Sequence, residues 1–158
     1  MRLTAVMLCL VVLGAGAPGD AQSYTSPVLQ VAGPAQPGAI VSVNLAGATP
    51  GALAVLAYGF VPGPCPVGSY ATLGLIPAGF MVLGPVSSQG TIFTGIRVPT
   101  GLSPALNGLT IYFQVAVLRV VDATTGLPAA VDLTTVELVV LDVTYPDGTV
   151  DGWMRPTG

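Results

Sequence analysis

Histidine and lysine are absent from the 158 residues, and charge of any kind is scarce: four basic residues, seven acids, 7% of the chain. Each gap excludes a chemistry. Without histidine there is no Ser-His or Cys-His nucleophile pair, no side chain that titrates near neutral pH, and no imidazole for zinc. Without lysine there is no Schiff-base amine and no phosphate-loop cation. The four arginines, Arg2, Arg97, Arg119 and Arg155, stand singly, so no basic stripe exists to neutralise a phosphate backbone. Nucleic-acid binding is excluded on that ground. Aromatics make up 6% of the chain, and Trp153 is the one tryptophan.

Carboxylates are the remaining acid–base option. Glu137 and Asp142 lie an odd number of residues apart on one predicted strand, so alternation sends them to opposite faces. Asp132 and Asp142 share parity, but ten residues of strand separate them by about 33 Å, against the ~5–9.5 Å of a glycosidase pair. The chain is read as non-enzymatic.

What is abundant is apolar: 52% of residues are hydrophobic, punctuated by 21 Gly and 15 Pro. So little charge cannot solvate a disordered chain. Met1-Arg2 followed by the apolar run Leu3–Leu13 and the small residues Gly14–Ala17 has the form of an export signal. Pro18 disfavours cleavage after Ala17, whereas Gly19-Asp20-Ala21 before Gln22 suits it. The run is shorter than the ~20 residues that span a bilayer. The expected organisation is a signal peptide at 1–21, a domain at 22–143 and a tail at 144–158, with no membrane span after cleavage. Cys9 would leave with the signal, so Cys65 has no internal disulfide partner. It reads as a small buried hydrophobe, an unpaired thiol or an intermolecular link within a Gly/Pro loop.

After the signal, helical patterning is nearly absent. Short apolar runs with period-two character alternate with Gly/Pro clusters, the pattern of a sandwich or barrel. Strands are predicted at Pro27–Ala32, Ile40–Ala46, Ala52–Phe60, Ala71–Ile76, Phe80–Pro85, Thr91–Val98, Leu109–Val121 and Val131–Val143. Ala48-Thr49-Pro50-Gly51 and Ser87-Ser88-Gln89-Gly90 read as turns, and residues 122–130 as the connection of a hairpin between the two longest strands. Ser103-Pro104-Ala105-Leu106-Asn107-Gly108 predicts one helical turn with Ser as cap, Pro at its start and Gly as its stop. Arg97 and Phe93 share a face that cannot be core, which leaves Phe93 partly exposed. Leu109–Val121 is apolar on both faces, which reads as a central strand covered twice, or as a face awaiting a partner. The fold class is all-β, an immunoglobulin-like antiparallel β-sandwich of seven or eight strands.

The segment Gly108-Leu109-Thr110-Ile111-Tyr112-Phe113-Gln114-Val115-Ala116-Val117-Leu118 resembles the "GLTxYxQxxVL" strand of secreted bacterial Gly/Pro/Leu-rich β-sandwich modules. A "GxxxxVxLxGxxPG" opening over Gly38–Gly51, the Leu83-Gly84-Pro85 strand end and the Pro99…Pro104–Gly108 turn follow the same order. The resemblance covers Gly33 to Leu141, and implies a sandwich fold and an extracellular location. It carries no activity. The long acidic-tinged strand after the Tyr-x-Gln strand and the tail Thr144–Gly158 depart from it.

Three readings of function follow. The first is a secreted or cell-surface structural or interaction module, whose neutral apolar surface contacts extracellular protein, envelope material or another copy. The second is a carbohydrate-binding module using Tyr58, Tyr112 and Gln114, since rings beside amides hold sugars by stacking and hydrogen bonds. The third is one unit of a longer repeat array. No cofactor is expected. Asp142, Asp147 and Asp151 are candidate oxygen ligands for weakly bound Ca²⁺, although Pro146-Asp147-Gly148 is also a sufficient turn by itself.

Overall fold

The computed structural model describes residues 26–120 and 128–143. Over these residues the chain is all-β, with ten strands and one short 3₁₀ turn. The strands are β1 (Val28–Ala32), β2 (Ile40–Ala46), β3 (Leu53–Gly59), β4 (Val61–Val67), β5 (Ala71–Ile76), β6 (Gly79–Pro85), β7 (Ile92–Arg97), β8 (Thr110–Val120), β9 (Pro128–Leu133) and β10 (Glu137–Val140). One sheet has the order β1-β2-β7. The larger has the order β10-β8-β3-β6, with β9 also on β8, and β4 and β5 form a hairpin of their own. Every pairing is antiparallel.

Alternation decides which residues meet. In β2, Val41, Val43 and Leu45 are buried while Ser42, Asn44 and Ala46 are only partly so. Across the gap, Ala54 and Leu56 of β3 and Phe113, Val115 and Val117 of β8 close the main core with Leu29, Val43 and Leu45. Leu56 is completely buried in that layer. Leu56→Ala is expected to cost about 2–5 kcal/mol, the range for a leucine cavity that cannot collapse. Chemical denaturation should show the loss as a lower midpoint with an unchanged slope.

The chain changes sheet between β2 and β3, between β6 and β7, and between β7 and β8. The first two crossings share one end of the sandwich and are laced together. Ala48 N–H donates to Gly90 O (3.0 Å), Gly51 N–H to Val86 O (2.9 Å) and Val86 N–H to Ala52 O (2.8 Å). The turn predicted at Ala48–Gly51 forms one residue later, closing through Ala52 N–H to Thr49 O, with Gly51 at φ 76° in the region only glycine adopts freely. At the far end, the predicted helical turn forms over Pro104–Leu106, with the Ser103 hydroxyl accepting from Ala105 N–H. Asn107 Oδ1 then accepts from Val143 N–H (3.0 Å), and a second cluster of Ala35, Val41, Val98, Leu141 and Val143 fills that end.

Two expectations need correction. The stretch read as a loop around Cys65 is strand β4. Its prolines, Pro62, Pro64 and Pro66, suppress a strand reading, yet proline is compatible with an edge strand because an edge needs N–H groups on one side only. β4 is such an edge, paired with β5 alone. The predicted single strand Val131–Val143 is two strands, β9 and β10, broken at residues 134–136. The cause is a side-chain network described below. The connection predicted at residues 122–130 falls largely outside the described residues, but β8 and β9 do pair as its two arms.

Candidate functional site

The face of β8 turned away from the core carries Tyr112, Gln114, Ala116 and Leu118, the even positions of an alternating strand. The β4–β5 hairpin folds over part of this face. Leu73 and Leu75 of β5 pack with Ala57 of β3, and Cys65, Tyr112, Leu133 and Val136 surround them. Cys65 is a free, half-buried thiol in this third cluster. β8 is therefore covered on both sides along half its length.

One polar side chain is sealed into this layer. Gln114 is only 5% exposed. Its Oε1 accepts from Gly74 N–H of β5 (2.8 Å), and its Nε2 donates to Thr134 O (2.7 Å). Thr134 is also buried, and its hydroxyl accepts from Val115 N–H (2.9 Å) and donates to Thr135 O (2.9 Å). A buried amide must have partners for both ends, and here it finds them by stapling the hairpin to the interruption between β9 and β10. That explains the break: Thr134 bonds to β8 with its side chain as well as its backbone, so regular pairing stops there.

The three residues of the sugar reading are not brought together. Tyr58 lies on the inner side of β3 beside Leu56 and packs against the main core. A Cβ on Gly79 would collide with its ring. Tyr112 is on the opposite face of the same sheet, partly under the hairpin, and the Gln114 amide is fully engaged internally. Tyr58 cannot join Tyr112 on one ligand surface.

Of the proposed calcium ligands, Asp142 accepts a hydrogen bond from Gln36 Nε2 (3.0 Å), while Asp147 and Asp151 lie outside the described residues. Among the described residues no three His, Cys, Asp or Glu side chains gather as a metal site. Asp132 pairs with Arg119 across β8 and β9, with Nε···Oδ2 and Nη2···Oδ1 both at 3.1 Å. Both side chains are about a quarter exposed, so the fork adds little stability.

Where the hairpin ends, the outer face stays open. Val55 and Ala57 of β3, Ala116 and Leu118 of β8, and Val131 and Leu133 of β9 floor a groove walled by Val67, Ala71 and Leu73 of the hairpin, with Phe80 of β6 beside it. Almost all of its lining is carbon. Its volume is about 170 Å³, on the order of the ~150 Å³ apolar cavity that accepts a benzene ring. Phe80 and Val82 extend the apolar surface from the groove to the sheet edge, at 60% and 66% exposed. The sequence signal for this surface was the two-sided apolarity of residues 109–121. One half of the strand is covered on both sides, and the other half is open on its outer face.

No protein-family model, curated protein or solved structure matches the chain. The groove and the sheet around it are therefore the basis for a functional reading. No helix among the described residues is long and apolar enough to cross a membrane.

Proposed function

We propose that the chain is an exported, non-enzymatic β-sandwich module that makes protein contacts through the outer face of its larger sheet. One observation carries the reading: a carbon-lined groove of about 170 Å³ opens beside exposed Phe80 and Val82. Apolar surface that runs from a groove to a sheet edge is of the kind used in interaction sites. The groove's size suits one aromatic or branched side chain of a partner, an anchor inserted into a pocket. Charge supports the same reading, because from Gln22 to Ile96 the sequence has no ionisable acid or base of the Asp, Glu, Lys, Arg or His type. Strand order supports an immunoglobulin-like version of the sandwich, three strands facing a five-stranded sheet in which β9 and β10 both pair with β8, with β4–β5 as an added hairpin. Export rests on the apolar leader at 1–21.

Selection of peptides against the purified exported protein is the direct test. Peptides with a single aromatic or branched anchor are expected to bind saturably, and Val67→Arg, at the groove wall, to weaken them at least tenfold. Val28→Arg, on the smaller sheet, should leave binding unchanged. Equal loss in both variants, or no selected peptide that Val67→Arg affects, overturns the reading.

A further inference from the structure

Sheet edges carry unpaired backbone donors and acceptors, and folded proteins blunt them with charge, interruption, shortness or cover. Of the four edges of the two larger sheets, three are blunted in those ways. The β9–β10 edge carries Asp132 and Glu137 and is broken at residues 134–136. β7 carries Arg97. β1 has five residues and lies against β10.

β6 is blunted only toward its end, by the bulge at Leu83 and by Pro85. It runs seven residues, Gly79–Pro85, pairs with β3 on one side, and has no strand of the described residues on the other. It bears no charge, and Phe80, Met81 and Val82 are all exposed. The register shift of the β3–β6 pairing falls between Ala54 and Val55, opposite Gly84 and Val82, so the stretch Gly79–Val82 pairs without interruption.

We propose that the partner of this edge is a second copy of the chain, the two β6 strands pairing antiparallel about a two-fold axis near Met81, with Phe80 of each copy opposite Val82 of the other. This rests on the reading of the larger sheet as an interaction face and names its occupant. An antiparallel strand is self-complementary in its backbone, so one edge satisfies an identical edge, the isologous arrangement of a two-fold dimer. Identical copies repel wherever like charges meet. The uncharged sequence from residue 22 to 96, which includes all of β6 and the hairpin, removes that repulsion. Pairing joins the two larger sheets into one, with Phe80 and Val82 of each copy on the same continuous face as both grooves.

A single strand pair buries less than the ~1,200 Å² lower bound of a standard stable interface. The dimer is accordingly weak, forming at tens to hundreds of micromolar and gaining strength where copies are held together on one surface.

Sedimentation equilibrium of the exported protein from 5 µM to 1 mM tests this. The weight-average mass of the wild type should rise toward twice the protomer value over that range. Val82→Lys places like charges across the axis and should hold the mass at one protomer throughout. Val140→Lys, an exposed position on the charged edge, should dimerise as the wild type does. Far-ultraviolet spectra of both variants should match the wild type. A monomeric wild type at 1 mM, or equal disruption by both variants, overturns the inference. Peptide capture by the groove, if retained in that monomer, would leave the broader interaction reading standing.

Discussion

Gln114→Leu is expected to lower unfolding free energy by about 2–4 kcal/mol, a large effect for a change that adds apolar surface to an apolar layer. Leucine fills the space but leaves Gly74 N–H and Thr134 C=O without the partners that now lie at 2.8 and 2.7 Å. Each deserted group costs about 1–3 kcal/mol, less where water reaches it, as at the partly exposed Gly74 side. Gln114→Glu separates the two ends of the amide. The acceptor to Gly74 survives, while the donor to Thr134 survives only if the new carboxyl is protonated. Burial raises the folded-state pKa of such a carboxyl above its unfolded value. Its stabilising contribution is then full below the unfolded pKa and is lost as pH rises through the folded one. Gln114→Glu should therefore be markedly more stable at pH 4 than at pH 7 relative to wild type, whereas Gln114→Leu should show no such trend. Denaturant midpoints at the two pH values decide the matter. Equal deficits for the glutamate variant at both would mean that the amide is not sealed beneath the hairpin.

A comparable loss is expected from adding one carbon at the end of β3. Gly59 is buried where β5 crosses it, and a Cβ there would overlap the carbonyl oxygen of Ile76 and lie 3.1 Å from its carbonyl carbon. The obstacle is backbone, which cannot rotate aside. Glycine inside a strand often marks such an approach. Gly59→Ala should cost about 3 kcal/mol, at the upper end for overpacking, and should loosen the hairpin first. Gly74→Ala is the informative comparison: its new methyl meets the Cγ2 of Val136 at 2.7 Å, a side-chain tip that can yield. About 1 kcal/mol is expected there. Thermal melts of both variants, together with the reaction rate of Cys65 with a thiol reagent, would show whether the hairpin lifts. Faster labelling in Gly59→Ala and no change in Gly74→Ala is the expected pattern. Equal stabilities for the two would place the β5 backbone farther from Gly59.

Much of this fold is legible in the residues because local and non-local demands agree. In β2 the apolar period is two and one face is core, so register is fixed by a pattern seven residues long. Ser103, Pro104 and Gly108 each suit one position of a helical turn and no strand. β4 is hidden because its three prolines carry a loop signal by themselves, and only an edge position makes them tolerable. The break after β9 is hidden for another reason. Thr134 and Thr135 are good strand residues, and the amide that interrupts them is 20 positions away. A better clue lay in β8 itself. A strand read as covered on both sides but carrying one glutamine must satisfy that glutamine inside, so Gln114 belonged to the architecture and not to a ligand surface. Tyr58 was similarly legible, since it shares parity with Leu56 on the face whose burial the alternation demands. The open groove was visible only as an excess of apolar residues, because which half of β8 the hairpin covers depends on contacts distant in sequence.

The placement of Val28 and Val143 at opposite extremities of the sandwich has a mechanical consequence. Val28 stands across from Ala46, close to the laced crossings, whereas Val143 is bound to Asn107 at the other extremity. Tension drawn between those points runs parallel to the strands. It would load the five residue pairs of β1 and β2 together, in shear, instead of peeling them one after another. A lengthwise pull therefore meets the ladder's collective resistance.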